Sequence, residues 1–259
     1  MSGLTRDLCK EWVLWASGKW SPKTVNTAQG VLNIILENAL EKRLIDANPA
    51  SKLGLRKTVK KNRELLTVQE ISIIYNSAWA SQPQRAMFLL AAVTGMRIGE
   101  IVALQKGDIK EGFLDIHADY SDKFGFQQST KTYVNRYVPV PAGFPFPESE
   151  SEWVFSKDGK EPIKGHCLYN AVKRKCAELG IDTAGRGITV HSLRNFFISY
   201  LQKHNVPESK IRAVVGHTDE TMTDLYTYWK PDMFPEVYEA QQKLFNDITG
   251  GPNEDDKTD

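Results

Sequence analysis

The sequence predicts a mainly α-helical protein with one small antiparallel β-sheet, an α+β fold. Apolar residues recur at helical spacing from about residue 5 to residue 105 and again from His166 onward. Between these regions, after Gly112, the pattern changes to the alternating and β-branched stretches "FLDIHADY" and "NRYVPVP". The chain has 259 residues, of which 41% are hydrophobic and 25% charged. This usage is typical of a globular protein with one large domain or two unequal ones.

The first part of the chain predicts a small all-helical domain over residues 1–55. Helical spacing covers 5–16 and 21–44, Ser21-Pro22 supplies an N-cap followed by proline, and Asn48-Pro49 ends the pattern. So short a helical unit has little core of its own, and we expect it to rest on another domain or on a ligand.

A basic linker is predicted over residues 56–64. Residues 1–66 hold 12 Lys or Arg against 6 Asp or Glu, although the whole chain has a net charge of only +1. The stretch "LRKTVKKNR" is either a solvated charged linker or a strand of positive charge laid along a polyanion. The candidate contacts to such a polyanion are Arg56, Lys57, Lys60, Lys61 and Arg63.

A second, larger domain is predicted over residues 65–246. Thr67 and Glu70 have the spacing of a capping box, which marks the first helix of this domain. Further helices follow, then about three strands, then helices again, with the polar stretch "SDKFGFQQSTK" between the two strand patterns. We expect the acidic end, 247–259, to be a disordered tail.

Several classes of protein are excluded by composition. The opening residues lack a signal peptide and no stretch is apolar enough for a membrane span, so we expect a cytoplasmic protein with no membrane partner. The three cysteines, Cys9, Cys167 and Cys176, are too scattered for a disulfide framework or a zinc site. We expect no metal and no cofactor.

Two short motifs contain arginines that could bind an anion. In "VHSLRNFF", His191 and Arg194 lie three residues apart at a helix start, on one face. In "TGMRIGE", Arg97 follows a turn between two apolar helices, where a guanidinium needs a partner. Glu100 either forms an ordinary helix ion pair with Arg97 or braces Arg97 so that it presents its donors to a phosphate.

Two further stretches contain candidate proton-transfer groups and a candidate nucleophile. Lys131 lies at the approach to a hairpin, where a lysine is either solubilising or delivered into a cleft as a proton donor. His217 follows Gly216 between two helices, with Tyr226 nine residues later and Tyr228 eleven. A tyrosine hydroxyl has a pKa of about 10 and becomes a nucleophile only when positive groups and a base surround it.

The order of these motifs resembles that of the tyrosine recombinases, the phage-type integrases. Members of that family have an arginine in "TGxRxxE", a lysine on a hairpin, "HxLR", and "GH" nine residues before the nucleophilic tyrosine. The resemblance extends from about Leu4 to about Phe245, and residues 1–55 are similar to the family's core-binding domain. The matching positions are Arg97, Lys131, His191, Arg194, His217 and Tyr226.

The resemblance implies a mechanism of DNA strand cleavage and rejoining without metal or ATP. Arg97 and Arg194 would clamp the scissile phosphate, and His217 would contact it. Lys131 would act as general acid to the leaving 5′ oxygen, and His191 as base for Tyr226. Attack by Tyr226 would leave a 3′-phosphotyrosyl link.

The resemblance also implies the partners of the protein. The protein would bind double-stranded DNA recombination sites and an accessory directionality factor. It would form a homo-tetramer on DNA and be a monomer or weak oligomer when free. The protein would be encoded by a bacterium or a phage, and it would act in the integration or excision of a mobile element. Beside the linker residues, Lys23 and Thr24 of the first domain are candidate DNA contacts.

Two features leave alternatives open. The chain has no room for the N-terminal arm-binding domain that many integrases carry, so it is either a simple recombinase or a shortened chain. The arginine, lysine, histidine and tyrosine residues named above would also suit a type IB topoisomerase. A further alternative is a catalytically silent DNA-binding protein of the same fold.

Overall fold

The computed structural model describes residues 3–58, 64–130, 135–216 and 230–251. The chain forms two compact units, Met1–Asn62 and Arg63–Asp259. The predicted α+β class, helices with small antiparallel sheets, is confirmed. The functional domain bounds of 1–55, 56–64, 65–246 and 247–259 stay a prediction, except that residues 247–249 form the last turn of a helix rather than the start of a disordered tail.

The first unit contains a pair of amphipathic helices with a small core. Helix α1 is Arg6–Ser17 and helix α2 is Pro22–Glu41, and the side chains of Thr5 and Ser21 cap their first turns as N-cap residues. Its apolar contacts form two small clusters; their buried members are Cys9, Leu36 and Ala50 in one, and Val13, Ala16 and Val25 in the other.

The second unit is built around one helix, α4, that is buried over most of its length. Every residue of α4 from Ala86 to Thr94 is buried, because other helices and the sheet pack around it. The predicted capping box is present at Thr67 and Glu70. The helices in the described part of this unit are α3 (Val68–Asn76), α4 (Gln82–Thr94), α5 (Ile98–Ala103), α6 (Gly165–Glu178), α7 (Ser192–Lys203), α8 (Glu208–Val215) and α9 (Pro235–Thr249).

Within the described residues the strands form two sheets rather than one. The three-stranded sheet has the order β1-β2-β5 and is antiparallel throughout, with Leu114 opposite Val138 in its centre. A second hairpin, β3-β4, follows: β3 lies mostly in the stretch predicted as a strand, whereas β4 lies in the predicted polar connection. The strands are β1 (Ile109–Lys110), β2 (Phe113–Ile116), β3 (Asp119–Ser121), β4 (Gly125–Gln127) and β5 (Arg136–Pro139).

The last helix, α9, packs on its own chain. Val237, Leu244 and Ile248 are fully buried, and the Ile248 carbonyl accepts a hydrogen bond of 2.8 Å from Ser72 Oγ of α3. Gln241 Nε2 donates to the carbonyls of Val93 and Pro139 at 2.7 and 2.8 Å. Through this one side chain α9 joins the end of α4 to strand β5.

Candidate functional site

A sharp turn places the first predicted arginine. Helix α4 ends at Gly95, whose φ of +62° is the left-handed conformation that favours glycine. A Cβ on this residue would also lie 2.6 Å from Cδ1 of Phe197 on α7, so no larger residue fits. The chain therefore reverses within Gly95–Met96, and Arg97 becomes the N-cap of α5.

Arg97 is bound on both sides by protein groups. Its backbone N–H donates to Glu100 Oε2 at 2.8 Å, and its Nη1 donates to Glu100 Oε1 at 2.9 Å. Its Nη2 donates to the carbonyl of Gly216 at 3.0 Å. The side chain keeps 20% of its surface exposed, and a guanidinium has five N–H groups, so donors remain for a ligand.

Glu100 is buried and binds a second arginine as well. Arg136 of β5 donates Nη1 to Oε1 at 2.9 Å and Nη2 to Oε2 at 2.7 Å, a bidentate pair. Burial raises the pKa of Glu100, but the charges of Arg136 and Arg97 and their hydrogen bonds outweigh it and hold this pKa below its usual value. Glu100 is therefore more than the helix ion pair considered from sequence, because it joins two arginines from separate elements.

Arg194 enters the same cluster from the first turn of α7. Its Nη1 donates to the Gly95 carbonyl at 2.8 Å, its Nη2 donates to the Val215 carbonyl, and only 3% of the residue is exposed. Burial, together with the charges of Arg97 and Arg136, lowers the pKa of Arg194 to about 10. The guanidinium is still charged at neutral pH. We call Arg97, Glu100, Arg136 and Arg194 the arginine–glutamate cluster.

The end of helix α8 lies against this cluster. Its last carbonyls are open to side chains because a helix C-terminus has no further N–H groups to bind them. Three successive carbonyls accept hydrogen bonds from the three arginines: Val214 from Arg136 at 2.7 Å, Val215 from Arg194, and Gly216 from Arg97. Gly216 ends the helix in the left-handed conformation, with φ +69°.

The cluster carries an excess of positive charge. Three guanidiniums face one carboxylate and the negative end of a helix dipole. An anion such as a phosphate would balance this excess. The arrangement can therefore hold a phosphate and stabilise added charge on its oxygens.

The other predicted catalytic residues are placed in part. His191 is the exposed N-cap residue of α7, three residues before Arg194. Lys131, His217 and Tyr226 lie outside the described residues. The structure thus brings Arg97, Arg194 and Glu100 together, and the catalytic roles of the six residues stay predictions.

The predicted DNA contacts are also described in part. Lys23 and Thr24 are exposed in the first turn of α2, and Lys57 is exposed. Arg56 is half-buried, and its backbone is fixed by Asn26, whose side chain bonds the Arg56 N–H at 2.8 Å and the Arg56 carbonyl at 2.9 Å. Lys60, Lys61 and Arg63 lie outside the described residues.

Arg136 is the member of the cluster that sequence reasoning missed. It shares one face of its strand with Val138, which is fully buried, so an arginine occupies a position where the alternation calls for an apolar residue. A buried guanidinium needs a partner. The arginine at an apolar position could have indicated a buried ion pair. Its partner, Glu100, could not be identified from the sequence because it lies 36 residues away.

The described residues contain neither a metal-binding cluster nor a membrane-spanning helix. No group of three or more His, Cys, Asp or Glu side chains in that part of the chain is placed to hold a metal ion. Among the helices described, none combines the length and the apolar character needed to cross a membrane.

The fold places Arg97 and Arg194 in one cluster within a largely helical domain. Residues 64–232 match the model of the phage integrase family. The chain therefore belongs to this family, the tyrosine recombinases, which confirms the resemblance seen in the motifs.

Known proteins similar to the chain agree with this assignment. The tyrosine recombinase XerD of Halalkalibacterium halodurans is 24% identical over 207 residues, which cover 77% of this chain and 68% of XerD. The "Prophage ps2 probable integrase" of Lactococcus lactis subsp. lactis is 24% identical over 252 residues, 83% of this chain and 66% of that protein. The chain thus spans about two thirds of the length of these relatives.

Solved structures show the same fold. A lambda integrase tetramer bound to a Holliday junction aligns with 89% of this chain at a TM-score of 0.68 and 17% identity, over 68% of its own chain. The Tn1549 transposon integrase in complex with transposon right end DNA aligns with 90% of this chain at a TM-score of 0.68 and 18% identity, over 84% of its own chain.

Proposed function

We propose that this chain is a site-specific DNA recombinase that cleaves and rejoins strands through a covalent link to Tyr226. The observation that carries the proposal is the convergence of Arg97 and Arg194 on the end of α8, from which the chain continues directly into His217. Family membership supports this class of enzyme. The catalytic roles assigned below are those that cleavage of a DNA phosphodiester requires.

The cleavage step needs three functions at one phosphate. The phenol oxygen of Tyr226 attacks phosphorus and forms the 3′-phosphotyrosyl bond, while the bond to the 5′ oxygen breaks. His191 accepts the phenol proton, and Lys131 gives a proton to the leaving 5′ oxygen. Arg97, Arg194 and His217 stabilise the charge on the non-bridging oxygens. Attack by a 5′ hydroxyl of another strand reverses these bond changes and frees Tyr226.

The partner is double-stranded DNA, held by both units. Exposed Lys23 and Thr24 and the basic residues from Arg56 to Arg63 would contact phosphates, which fixes the position of the protein without reading sequence. The similar lambda integrase is a tetramer on a Holliday junction, and we propose a tetramer on DNA for this chain as well. We further propose bacterial or phage origin, action in integration or excision of a mobile element, and an accessory directionality factor.

The test is a covalent trap with two matched tyrosine variants. Duplexes that bind the full chain are selected from a random-sequence library, and nicks are placed at successive positions along one strand. Cleavage near a nick releases a short fragment and leaves the protein attached to DNA. We expect an adduct with the wild type and with Tyr228→Phe, and none with Tyr226→Phe.

Other outcomes separate the alternatives. An adduct that disappears in Tyr228→Phe and persists in Tyr226→Phe would show that the nucleophile is misassigned. Relaxation of supercoiled plasmids without site preference would indicate a topoisomerase. Specific binding with no adduct at any nick position would indicate a catalytically silent DNA-binding protein.

A further inference from the structure

Arg136 holds the end of α8 against Glu100. Its three nitrogens all donate to protein groups: Nε to the Val214 carbonyl at 2.7 Å, and the two Nη atoms to the two oxygens of Glu100. Only 6% of its side chain is exposed. We propose that Arg136 is a positioning residue for strand cleavage, which fixes the α8 end and Glu100 so that Arg97 and Arg194 meet one phosphate. This inference rests on the recombinase function proposed above.

The three arginines bind consecutive carbonyls of the α8 end. Arg136 binds the carbonyl of Val214, and the next two carbonyls are bound by Arg194 and Arg97. Because the three carbonyls are consecutive, a shift of the first moves the acceptors of both phosphate-binding arginines. Arg136 therefore acts on the phosphate site through the backbone, without touching the substrate.

Arg136 and Arg97 also share one carboxylate. Glu100 binds Arg136 through both oxygens and Arg97 through the same two. If Arg136 is removed, Arg97 is the remaining described cation on a buried carboxylate, and the uncompensated charge would draw it toward Glu100 and away from a ligand. Arg136 thus leaves Arg97 free to present its remaining donors.

The guanidinium of Arg136 packs closely against the helix end. A Cβ on Gly216 would lie 3.1 Å from Cζ, Nε and Nη1 of Arg136, so the guanidinium lies directly against this residue. His217 follows Gly216 in the chain. The guanidinium surface therefore fixes the position of Gly216, the residue before His217 in the sequence.

Arg186 provides a matched control in the same unit. Like Arg136, it binds both carboxylate oxygens of a glutamate, here Glu70. It also donates a hydrogen bond of 2.8 Å to the backbone carbonyl of Leu65. Its partners lie at the start of α3 and belong to no predicted catalytic group. Arg186→Lys removes the same kind of interaction without touching the arginine–glutamate cluster.

The experiment compares Arg136→Lys with Arg186→Lys in the full chain. DNA affinity is measured by titration with the selected duplex, and the cleavage rate by single-turnover adduct formation on its nicked form. We expect both variants to bind DNA within about threefold of the wild type. Cleavage should fall by about 100-fold in Arg136→Lys, because a misplacement of about 1 Å can cost that much, and by less than about threefold in Arg186→Lys.

A second variant separates positioning from folding. Arg136→Ala leaves a space that a guanidinium ion can fill, so millimolar guanidinium chloride should restore part of the cleavage rate. Sodium chloride at the same ionic strength should not. Rescue of Arg136→Ala to the same extent by both salts would overturn the proposal, as would equal decreases of cleavage in Arg136→Lys and Arg186→Lys.

Hydrogen exchange tests the placement without using catalysis. Amide exchange in residues 208–216 should become faster in Arg136→Lys and stay unchanged in Arg186→Lys. Unchanged exchange in this helix would overturn the inference even if the wild type cleaves. If the wild type forms no adduct at all, the recombinase proposal fails, and exchange alone decides whether Arg136 holds the α8 end.

Discussion

At the scale of single residues, Glu100 is a buried acidic residue placed between two arginines. It is a carboxylate with 1% exposure, and it accepts four hydrogen bonds, two from Arg97 and two from Arg136. Removing one partner of such a buried pair leaves the other charge uncompensated. Its environment therefore predicts a large effect of a conservative substitution.

We expect Glu100→Gln to lower the free energy of unfolding by about 3–5 kcal/mol at neutral pH, because three arginines then face no carboxylate. Urea denaturation measures the decrease. Glu70→Gln is the control, since Glu70 is half-buried and pairs with Arg186. A decrease in Glu100→Gln no larger than in Glu70→Gln would contradict the importance of burial.

Glu100→Gln should also change how the free energy of unfolding depends on pH. The pKa of Glu100 is lowered by folding, so the group stabilises the fold above its unfolded pKa of about 4.3 and loses this contribution as pH falls through the folded value. The difference in stability between wild type and Glu100→Gln should thus shrink on acidification below about pH 4.3. A difference that stays constant from neutral to acid pH would contradict the assignment.

Single residues were predictable where a motif named them. Arg97, Glu100 and Arg194 lie in short patterns that the sequence displays, and the structure brings them together. Arg136 has no such pattern, because its partners, Glu100 and Val214, lie 36 and 78 residues away. Pairing of this kind depends on tertiary structure, which spacing along the chain does not reveal.

At the scale of elements, the helices followed from apolar periodicity and capping residues, whereas part of the sheet did not. The polar stretch "SDKFGFQQSTK" was predicted to be a connection but contains strand β4, which pairs with β3 in a hairpin. The hairpin is held by Tyr120 and Phe126, whose rings make edge contacts with Trp153. Since Trp153 lies more than 25 residues further along the chain, the local pattern carries no sign of this anchor.

The turn at the end of α8 predicts a difference between two glycines. Gly216→Ala and Gly250→Ala both force alanine into a left-handed conformation, which costs about 1–2 kcal/mol. A Cβ at Gly250 meets open space, while one at Gly216 meets Arg136. We therefore expect the larger decrease in stability in Gly216→Ala, and a large decrease in single-turnover cleavage only in that variant.

Equal cleavage by the two glycine variants would contradict this reasoning. Melting curves of both proteins check that each variant is fully folded at the temperature of the cleavage assay. Gly216→Ala should also accelerate exchange of the last amides of α8, and Gly250→Ala should not.

The attachment of α9 gives a prediction about stability alone. Gln241 is fully buried and bonds the carbonyls of Val93 and Pro139. Gln241→Met keeps the volume but leaves both carbonyls without this donor, so we expect a decrease of about 1–3 kcal/mol in urea denaturation. Gln242→Met is the neighbouring control, because the bond of Gln242 to the Ala142 N–H is exposed. Equal decreases in the two variants would show that the buried carbonyls are not responsible.

At the scale of the whole molecule, the positive charge is concentrated at one end of the sequence. Residues 1–66 carry 12 Lys or Arg against 6 Asp or Glu, while the whole chain is nearly neutral at +1. DNA affinity should therefore depend on salt mainly through the first unit and the basic linker. This uneven distribution of charge can be read directly from the sequence.

We expect the variant with Lys57, Lys60, Lys61 and Arg63 all changed to Ser to bind the selected duplex more weakly and with less dependence on salt. The slope of log affinity against log salt should fall by about 0.9 for each phosphate that the variant no longer neutralises. A charge-matched control changes Lys106, Lys123, Lys157 and Lys160 to Ser. If the control lowers the slope as much, the linker has no special part in binding.

The hydrogen bonds at the end of α8 also bear on the order in which the protein folds. The carbonyls of Val214, Val215 and Gly216 are bound by side chains 78, 21 and 119 residues distant in sequence. Interactions of such long range form late, because the intervening chain must first be ordered. A partly synthesised or partly folded copy would lack the assembled phosphate site, so the ability to cut DNA would arise only with the completed fold.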